Sequence, residues 1–239
     1  MIASLAWYPG ARPAWERLWT SIRAHLPTRS PEHLVWPEDF ATHWRDQGLL
    51  LSMTCALPLQ QGLADHVHVV GSPDWDLPDM PPGHYASHVV MRADDPRTPA
   101  QAATDGLAVN NPDSQSGFGT LVAAGLAGRV ILTGSHAASA RAVADGRAAL
   151  AAIDVVTWTH LAAPDLAIRE TTRPTPSTPF ITAQADLIHP LRHAIRAAIA
   201  AQSPADRAAT RLVGLTMLPP AAYATTAAAP HCNSARIPA

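Results

Sequence analysis

The 239-residue chain contains no lysine; all 17 of its basic residues are arginine. That absence excludes chemistry through a Schiff-base lysine. It also excludes a nucleotide phosphate loop, which ends on a lysine. Cysteine is almost as scarce. Cys55 lies in an apolar run and Cys232 in a polar tail, enough for a single bridge but not for a disulfide framework. Only 15% of residues are charged and the formal net charge is −2, so the basic face of a nucleic-acid binder is missing. Long apolar runs are missing too. Arg, Asp or Gly interrupts each one before membrane-spanning length, and no membrane insertion is expected. The start, Met1-Ile2-Ala3-Ser4-Leu5-Ala6, has neither a basic stretch nor a long apolar core. As written it carries no export signal, which places the chain in the cytoplasm if this start is correct.

What remains is a composition 47% hydrophobic, enough for a sizeable core and against wholesale disorder. Short apolar runs alternate with Ala/Arg-rich helical stretches. Ile2 to Trp7 reads as a first strand. Trp15, Leu18, Trp19, Ile22 and Leu26 recur at helical spacing behind Pro13, a helix-starting position. His33–Trp36 reads as a short strand, and Asp39–Gln47 as a helix closed by Gly48. Leu49–Cys55 and Val67–Gly71 read as strands, and 72–83 as loop. His84–Arg92 is a long extended run. Strand and helix then alternate: Leu107–Asn110, Ser116–Ala127, Arg129–Leu132, Ala137–Gly146, Ala149–Ile153 and Val155–Leu161. Leu166–Thr172 is a second extended run, followed by a Pro-rich segment. Leu187–Gln202 and Ala205–Leu212 read as helices, and from about Pro219 the chain is expected to fray.

This alternation predicts an α/β protein with parallel sheets. The two extended runs bracket a compact βαβαβα block, the pattern of a discontinuous two-lobed protein. The expected division is 1–88 with 173–225 as one lobe, 91–170 as the inserted lobe, and 226–239 as a disordered tail. A single doubly wound domain is the competing reading. Ligands in such folds sit beyond the carboxyl ends of strands or between lobes.

Three segments carry candidate chemistry. Asn110-Asn111-Pro112-Asp113-Ser114-Gln115-Ser116-Gly117-Phe118 follows a strand and opens a helix. Its free N–H groups and the Ser114 and Ser116 hydroxyls suit an anion, or else only cap the helix. Thr133-Gly134-Ser135-His136-Ala137-Ala138-Ser139 repeats the pattern, with His136 either a donor to an anion or merely exposed. Asp154 ends an apolar strand and either accepts from a ligand or caps the next helix. Parallel strands bring all three to one sheet edge. A Ser116–His136–Asp154 hydrolase reading is weak: the Gly-x-Ser-x-Gly elbow is absent, and the histidine precedes the acid. Twelve histidines occur, but the pairs His66/His68, His84/His88 and His189/His193 lack the further ligands a zinc site needs. No metal and no cofactor are expected. Tyr85 stands where the chain enters the inserted lobe.

Asn111–Phe118, Gly134–Gly146 and Pro82-Gly83-His84-Tyr85 resemble the phosphonate/phosphite/phosphate substrate-binding proteins of ABC importers, which have the type 2 periplasmic-binding fold. The resemblance covers roughly residues 1–225. It implies a non-enzymatic ligand trap with a small oxyanion clamped between lobes, an ABC permease as partner if the protein is exported, a periplasmic location and a monomer. It carries ligand-binding roles to Ser114, Gln115, Ser116, Gly117, Tyr85 and His136. It carries to Asp154 the acidic position that pairs with the amino group of aminophosphonates. Gln115 departs from the small hydroxyl residue common at its place. Tyr8 and Thr54, at the ends of first-lobe strands, are where the other half of the clamp would lie. Two alternatives stand beside this reading: a cytoplasmic ligand-sensing relative, and a pyrimidine-precursor synthase-like enzyme of the same fold. The missing lysine opposes the enzyme.

Overall fold

A computed structural model describes residues 1–224. In chain order the elements are β1 (Ile2–Ala3), α1 (Arg12–Ala24), α2 (Phe40–Trp44), β2 (Leu49–Met53), α3 (Ala56–Gln60), β3 (His68–Trp75), β4 (His84–Tyr85), β5 (Ser87–Arg92), α4 (Pro99–Ala102) and β6 (Leu107–Val109). There follow α5 (Thr120–Ala123), β7 (Val130–Leu132), α6 (His136–Ala144), β8 (Leu150–Asp154), α7 (Val155–Trp158), β9 (Leu166–Thr171) and β10 (Thr175–Pro176). The last are β11 (Phe180–Thr182), α8 (Ile188–Ala200), α9 (Pro204–Thr210), β12 (Leu212–Thr216) and α10 (Pro220–Ala224). The chain folds as two compact units. One comprises Met1–His84 and the described residues from Pro176 onward; the other is Tyr85–Thr175. The tail expected over 226–239, and Cys232 with it, lie outside the described residues.

The first unit carries a five-stranded sheet in the order β1-β2-β11-β3-β12. Trp15, Leu18, Trp19 and Ile22 form the buried stripe of α1, as the spacing predicts. Leu191, Ala194, Ile195, Ala198 and Ile199 form that of α8. Several local expectations fail here. β1 stops at Ala3, and residues 33–36 form no strand, although Val35 N–H donates to the Ala3 carbonyl at 2.8 Å. α2 ends at Trp44, and Gly48 is not its cap; the Gly48 N–H instead closes onto Asp46 Oδ1 at 2.7 Å. β3 runs on through Ser72–Trp75, which reads as loop, because β12 pairs with it there antiparallel. The chain does not fray at Pro219. α10 packs on α3, and its buried Tyr223 holds Ser72 Oγ at 2.8 Å.

The second unit carries a sheet in the order β7-β6-β8-β5-β9. β6 is parallel to β7 and β8, whereas β5 is antiparallel to both β8 and β9. The sheets are therefore mixed, not parallel throughout. Val90, Ala108, Ala151 and Ile153 from the strands pack with Ala140, Ala142 and Val143 of α6 in one core. Small side chains let α6 lie close to the sheet. The consequence is positional. The carboxyl ends of β6, β7 and β8 share one edge, and the register Ser87↔Asp154 brings the start of β5 to the same edge.

Candidate functional site

Three turns leave that edge, and each opens a helix with a side-chain cap. Ser114 Oγ accepts from Gly117 N–H at 3.1 Å, Ser135 Oγ from Ala138 N–H at 3.1 Å, and Asp154 Oδ1 from Thr157 N–H at 2.8 Å. The capping readings of Ser114 and Asp154 are thus realised. Capping uses an acceptor lone pair, so the Ser114 hydroxyl proton stays available to donate. The first helix does not begin as an α-helix. Gln115–Gly119 is a π-turn, in which Gly119 N–H reaches back to the Ser114 carbonyl at 2.9 Å. Such wide turns are frequent at functional sites. This one presents Ser114, Gln115 and Ser116 in sequence at the sheet edge, all buried.

Ser116 and His136 meet. Ser116 Oγ lies 2.9 Å from His136 Nε2, and Asp154 Oδ2 lies 3.5 Å from the same nitrogen. His136 is the first residue of α6, one position earlier than the sequence suggests, and is aimed by the left-handed Gly134 (φ 86°) that turns the chain before it. Its side chain keeps 11% exposure and that of Asp154 4%. The expectation that His136 is simply exposed is therefore replaced by a largely buried, partnered ring. Burial pushes His136 below the usual histidine range. The Asp154 carboxylate and the Ala152 carbonyl pull the other way, since both favour the charged ring.

Ser116 Oγ and Asp154 Oδ2 both face Nε2, and the ring proton has two possible arrangements there. A proton on Nε2 faces two acceptors, Ser116 Oγ and Asp154 Oδ2. A lone pair there would face the carboxylate and would take the Ser116 proton for itself. With Nε2 protonated, Ser116 accepts from the ring and keeps its own O–H as a donor. That is the polarity an oxyanion requires. A Ser–His–Asp relay requires something else. Its serine and carboxylate must engage opposite nitrogens of the ring, so that one orients while the other takes the proton. Here both contact Nε2.

The remaining sequence-predicted residues divide. Gln115 Nε2 donates to Thr175 Oγ1 at 2.9 Å, so its side chain is turned into the protein. Gly117 packs against Asn110: a Cβ there would meet Asn110 Oδ1, so a larger residue requires that side chain to move. Tyr85 is buried at the start of this unit. Tyr8 and Thr54 belong to the first unit. Tyr8 stacks on Trp15 at 6.1 Å, meets Trp75 edge-on at 5.3 Å, and its hydroxyl lies 3.5 Å from Thr178 Oγ1. Thr54 is fully buried, and its hydroxyl donates to the Cys55 carbonyl at 3.4 Å. Cys55 itself is buried ahead of α3. Among the described residues, no group of three His, Cys, Asp or Glu converges as a metal site.

No protein-family model and no curated protein matches the sequence. Solved structures do match. PhnD1 from Prochlorococcus marinus in complex with methylphosphonate superposes with a TM-score of 0.72, covering 93% of this chain and 93% of that one at 14% identity. XAC2383 from Xanthomonas citri bound to chloride ion gives 0.67, with 92% of each chain covered at 17% identity. A binding protein component of an ABC phosphonate transporter from Pseudomonas aeruginosa gives 0.64, covering 80% of this chain and 72% of that one at 14% identity. The chain has the type 2 periplasmic-binding fold. Among its described residues no helix is long and apolar enough to cross a membrane.

Within this periplasmic-binding fold, sequence reasoning missed some of the edge. Asn110 reads as the end of a strand and the first residue of the turn, and the pattern gives it no role of its own, yet its Oδ1 is buried against Gly117 and has no hydrogen-bond partner among the described residues. Thr120 Oγ1 lies 3.3 Å from Ser87 Oγ and 3.2 Å from the Gln115 carbonyl, fixing the π-turn against β5. Thr133 Oγ1 lies 2.6 Å from Ser139 Oγ and holds the turn before His136. The available signal was the run of small polar residues after each strand, which marks a crowded edge but not its pairings.

Proposed function

We propose that the protein is a solute-binding protein for a small oxyanion of the phosphonate, phosphite or phosphate type, which it delivers to the permease of an ABC importer. The observation that carries this reading is the contact of Ser116 Oγ with His136 Nε2 at 2.9 Å, at an edge where three capped helix starts converge. Helix N-termini present N–H groups and a partial positive charge. Ser114, Ser116 and His136 add side-chain donors. Donors suit an anion. That PhnD1 is solved with methylphosphonate supports the ligand class. The reading is non-catalytic: serine and carboxylate contact the same ring nitrogen, so no carboxylate engages the opposite nitrogen to orient the ring as a catalytic relay requires. Thermal melts of the purified protein with phosphate, phosphite, methylphosphonate and sulfate test it. At least one phosphorus oxyanion should raise the melting temperature in a concentration-dependent way. Absence of any shift at millimolar concentration, or turnover of phosphate esters that depends on Ser116, would reject it.

A further inference from the structure

The first unit holds a cavity of its own, where β12 parts from β3. The two strands pair only from Leu212↔Trp75 to Thr216↔Ser72. Beyond Thr216 the chain leaves the ladder, and Pro219-Pro220, with no N–H to donate, turns it into α10. Among the described residues, His68–Gly71 of β3 therefore has no strand beside it on that side. The gap is a cavity of about 480 Å³. Small-molecule pockets run from about 300 to 1,000 Å³. Its walls are apolar for the most part: Leu59 of α3, Val67, Val69, Ile188 of α8, Leu218 and Tyr223. No Asp or Glu lines it, whereas Arg192 does. Arg192 Nε donates to the Val70 carbonyl at 2.7 Å, which holds the guanidinium against β3 and leaves its two Nη groups with no acceptor among the described residues. Arg196, one turn further along α8, reaches the Leu215 carbonyl at 3.2 Å and Met217 Sδ at 3.5 Å, and Met217 also lines the cavity. Arg12, Arg17, Arg92, Arg97 and Arg147 each hold a carboxylate. Arg192 and Arg196 hold none among the described residues, so the charge at this cavity is positive and uncompensated.

We propose that this cavity is a second ligand site, which takes a monocarboxylate with an apolar tail, such as a medium-chain alkanoate or an arylalkanoate. The walls cover the tail, and burial of its surface supplies the affinity. The two Nη groups of Arg192 offer paired N–H donors to the two carboxylate oxygens. A phosphoryl dianion fits less well, because one guanidinium leaves its third oxygen and second charge unpaired in an apolar setting. A neutral chain also fits less well, because it covers the cation without pairing it. The cavity shares no residue with the serine and histidine turns of the other unit, and its ligand is independent of the oxyanion bound there.

Calorimetric titration of the whole chain with octanoate, 1-octanol and acetate gives the first arm. Octanoate should bind at one site per chain, with 1-octanol and acetate at least tenfold weaker. The second arm uses two variants. Arg192→Gln should weaken octanoate at least tenfold and leave 1-octanol within threefold of wild type. Ala64→Trp sets an indole at an exposed position of the lining, keeps Arg192, and should weaken octanoate and 1-octanol alike. No octanoate binding at millimolar concentration overturns the proposal. So does equal affinity of wild type for octanoate and 1-octanol, or octanoate binding that neither variant alters. Octanoate binding lost in Ser116→Ala but kept in Arg192→Gln puts the carboxylate at the sheet edge of the other unit and overturns it too. Where Arg192→Gln folds poorly, Ala64→Trp decides. A wild-type dimer in sedimentation that Ala64→Trp dissociates, with no octanoate bound, gives the cavity to a second copy of the chain and rejects the small ligand.

Discussion

The Ser116 hydroxyl and the His136 ring meet at 2.9 Å although they leave the sheet from different strands, one in the π-turn after β6 and the other at the first position of α6 beyond β7. The contact exists because β6 and β7 are parallel and in register from Leu107↔Val130 to Val109↔Leu132, so the two turns start at the same height. The pair is thereby built from backbone pairing that apolar residues control.

The two serines of the first turn differ in their effect on stability, since Ser114 caps the helix start and Ser116 does not. Ser116→Ala removes a donor to the ligand and leaves the cap intact. Hydrogen bonds to charged groups contribute about 1.5–3 kcal/mol, so affinity for a phosphorus oxyanion should fall by roughly one to two orders of magnitude. Ser114→Ala removes the acceptor for Gly117 N–H and the proposed Ser114 donor, so it should cost about 1 kcal/mol of stability in addition to affinity. Calorimetry and urea unfolding on both variants test the split. Equal affinity in wild type and Ser116→Ala would remove Ser116 from the binding site.

Gly117 and Asn110 should couple. Gly117→Ala forces a methyl group onto Asn110 Oδ1, and overpacking of this kind costs typically about 1–3 kcal/mol. Asn110→Ala deletes the obstructing atom, which has no hydrogen-bond partner among the described residues. The double variant should therefore recover more than half of the loss of Gly117→Ala. Unfolding free energies around this cycle measure the coupling. Additive effects would show that glycine is kept there for another reason.

Much of this frame could be read before any coordinates, and the failures share one cause. The stripe of α1, the strands β6 to β8 and the three turns after them are local patterns, and local spacing determines them. β12 and the outer half of β3 are not. Ser72-Pro73-Asp74 reads as loop until Leu212–Thr216 arrives beside it from far along the chain. β11 is three residues long and follows a Pro-rich segment, yet it joins β2 to β3 and makes the first sheet mixed. At the edge, Ser116, His136 and Asp154 are legible as a set because each ends or follows a strand. Their mutual geometry was not, since two partners on one ring nitrogen is a matter of rotamers. The same holds for Gln115, whose side chain points to Thr175.

At the opposite edge of the second unit, Arg97 grips Asp95 through Nη2–Oδ2 at 2.8 Å and through Nε, and reaches Asp105 through Nη1 at 2.6 Å. The Arg97 side-chain hydrogen bonds, with the Arg97 backbone N–H, hold the Asp95 carboxyl at about 2. This pKa is depressed, so the stabilisation is present above the unfolded-state value near 3.8 and is lost as pH falls toward 2. Carboxyl chemical shifts followed by NMR from pH 6 to 1.5 should place Asp95 last among the aspartates to titrate. In Arg97→Ala it should move back to the ordinary aspartate range. An unchanged titration would show that the guanidinium is not its cause.

His136 links stability and binding to pH in opposite senses. Burial holds its pKa below the unfolded value of 6.5, so the unfolded chain takes up the proton first. The contribution of this group to stability is complete above about pH 6.5 and falls away as pH drops through the window down to the lower folded value. His43 and His88 are depressed by burial as well and add to the same slope, so the measured quantity is the difference between wild type and His136→Gln. Urea midpoints between pH 8 and 5.5 should fall less steeply in the variant. An oxyanion on Ser116 adds negative charge beside Nε2 and raises the bound-state pKa. Affinity should then weaken as pH rises through that bound-state value, and titrations in two buffers of different ionisation enthalpy should register proton uptake by wild type but not by the variant. Methylphosphonate changes its own charge near neutrality, so its ionisation is subtracted by comparing the two proteins at each pH. Matching proton uptake in both would place the proton on the ligand or on another group and leave His136 a neutral donor.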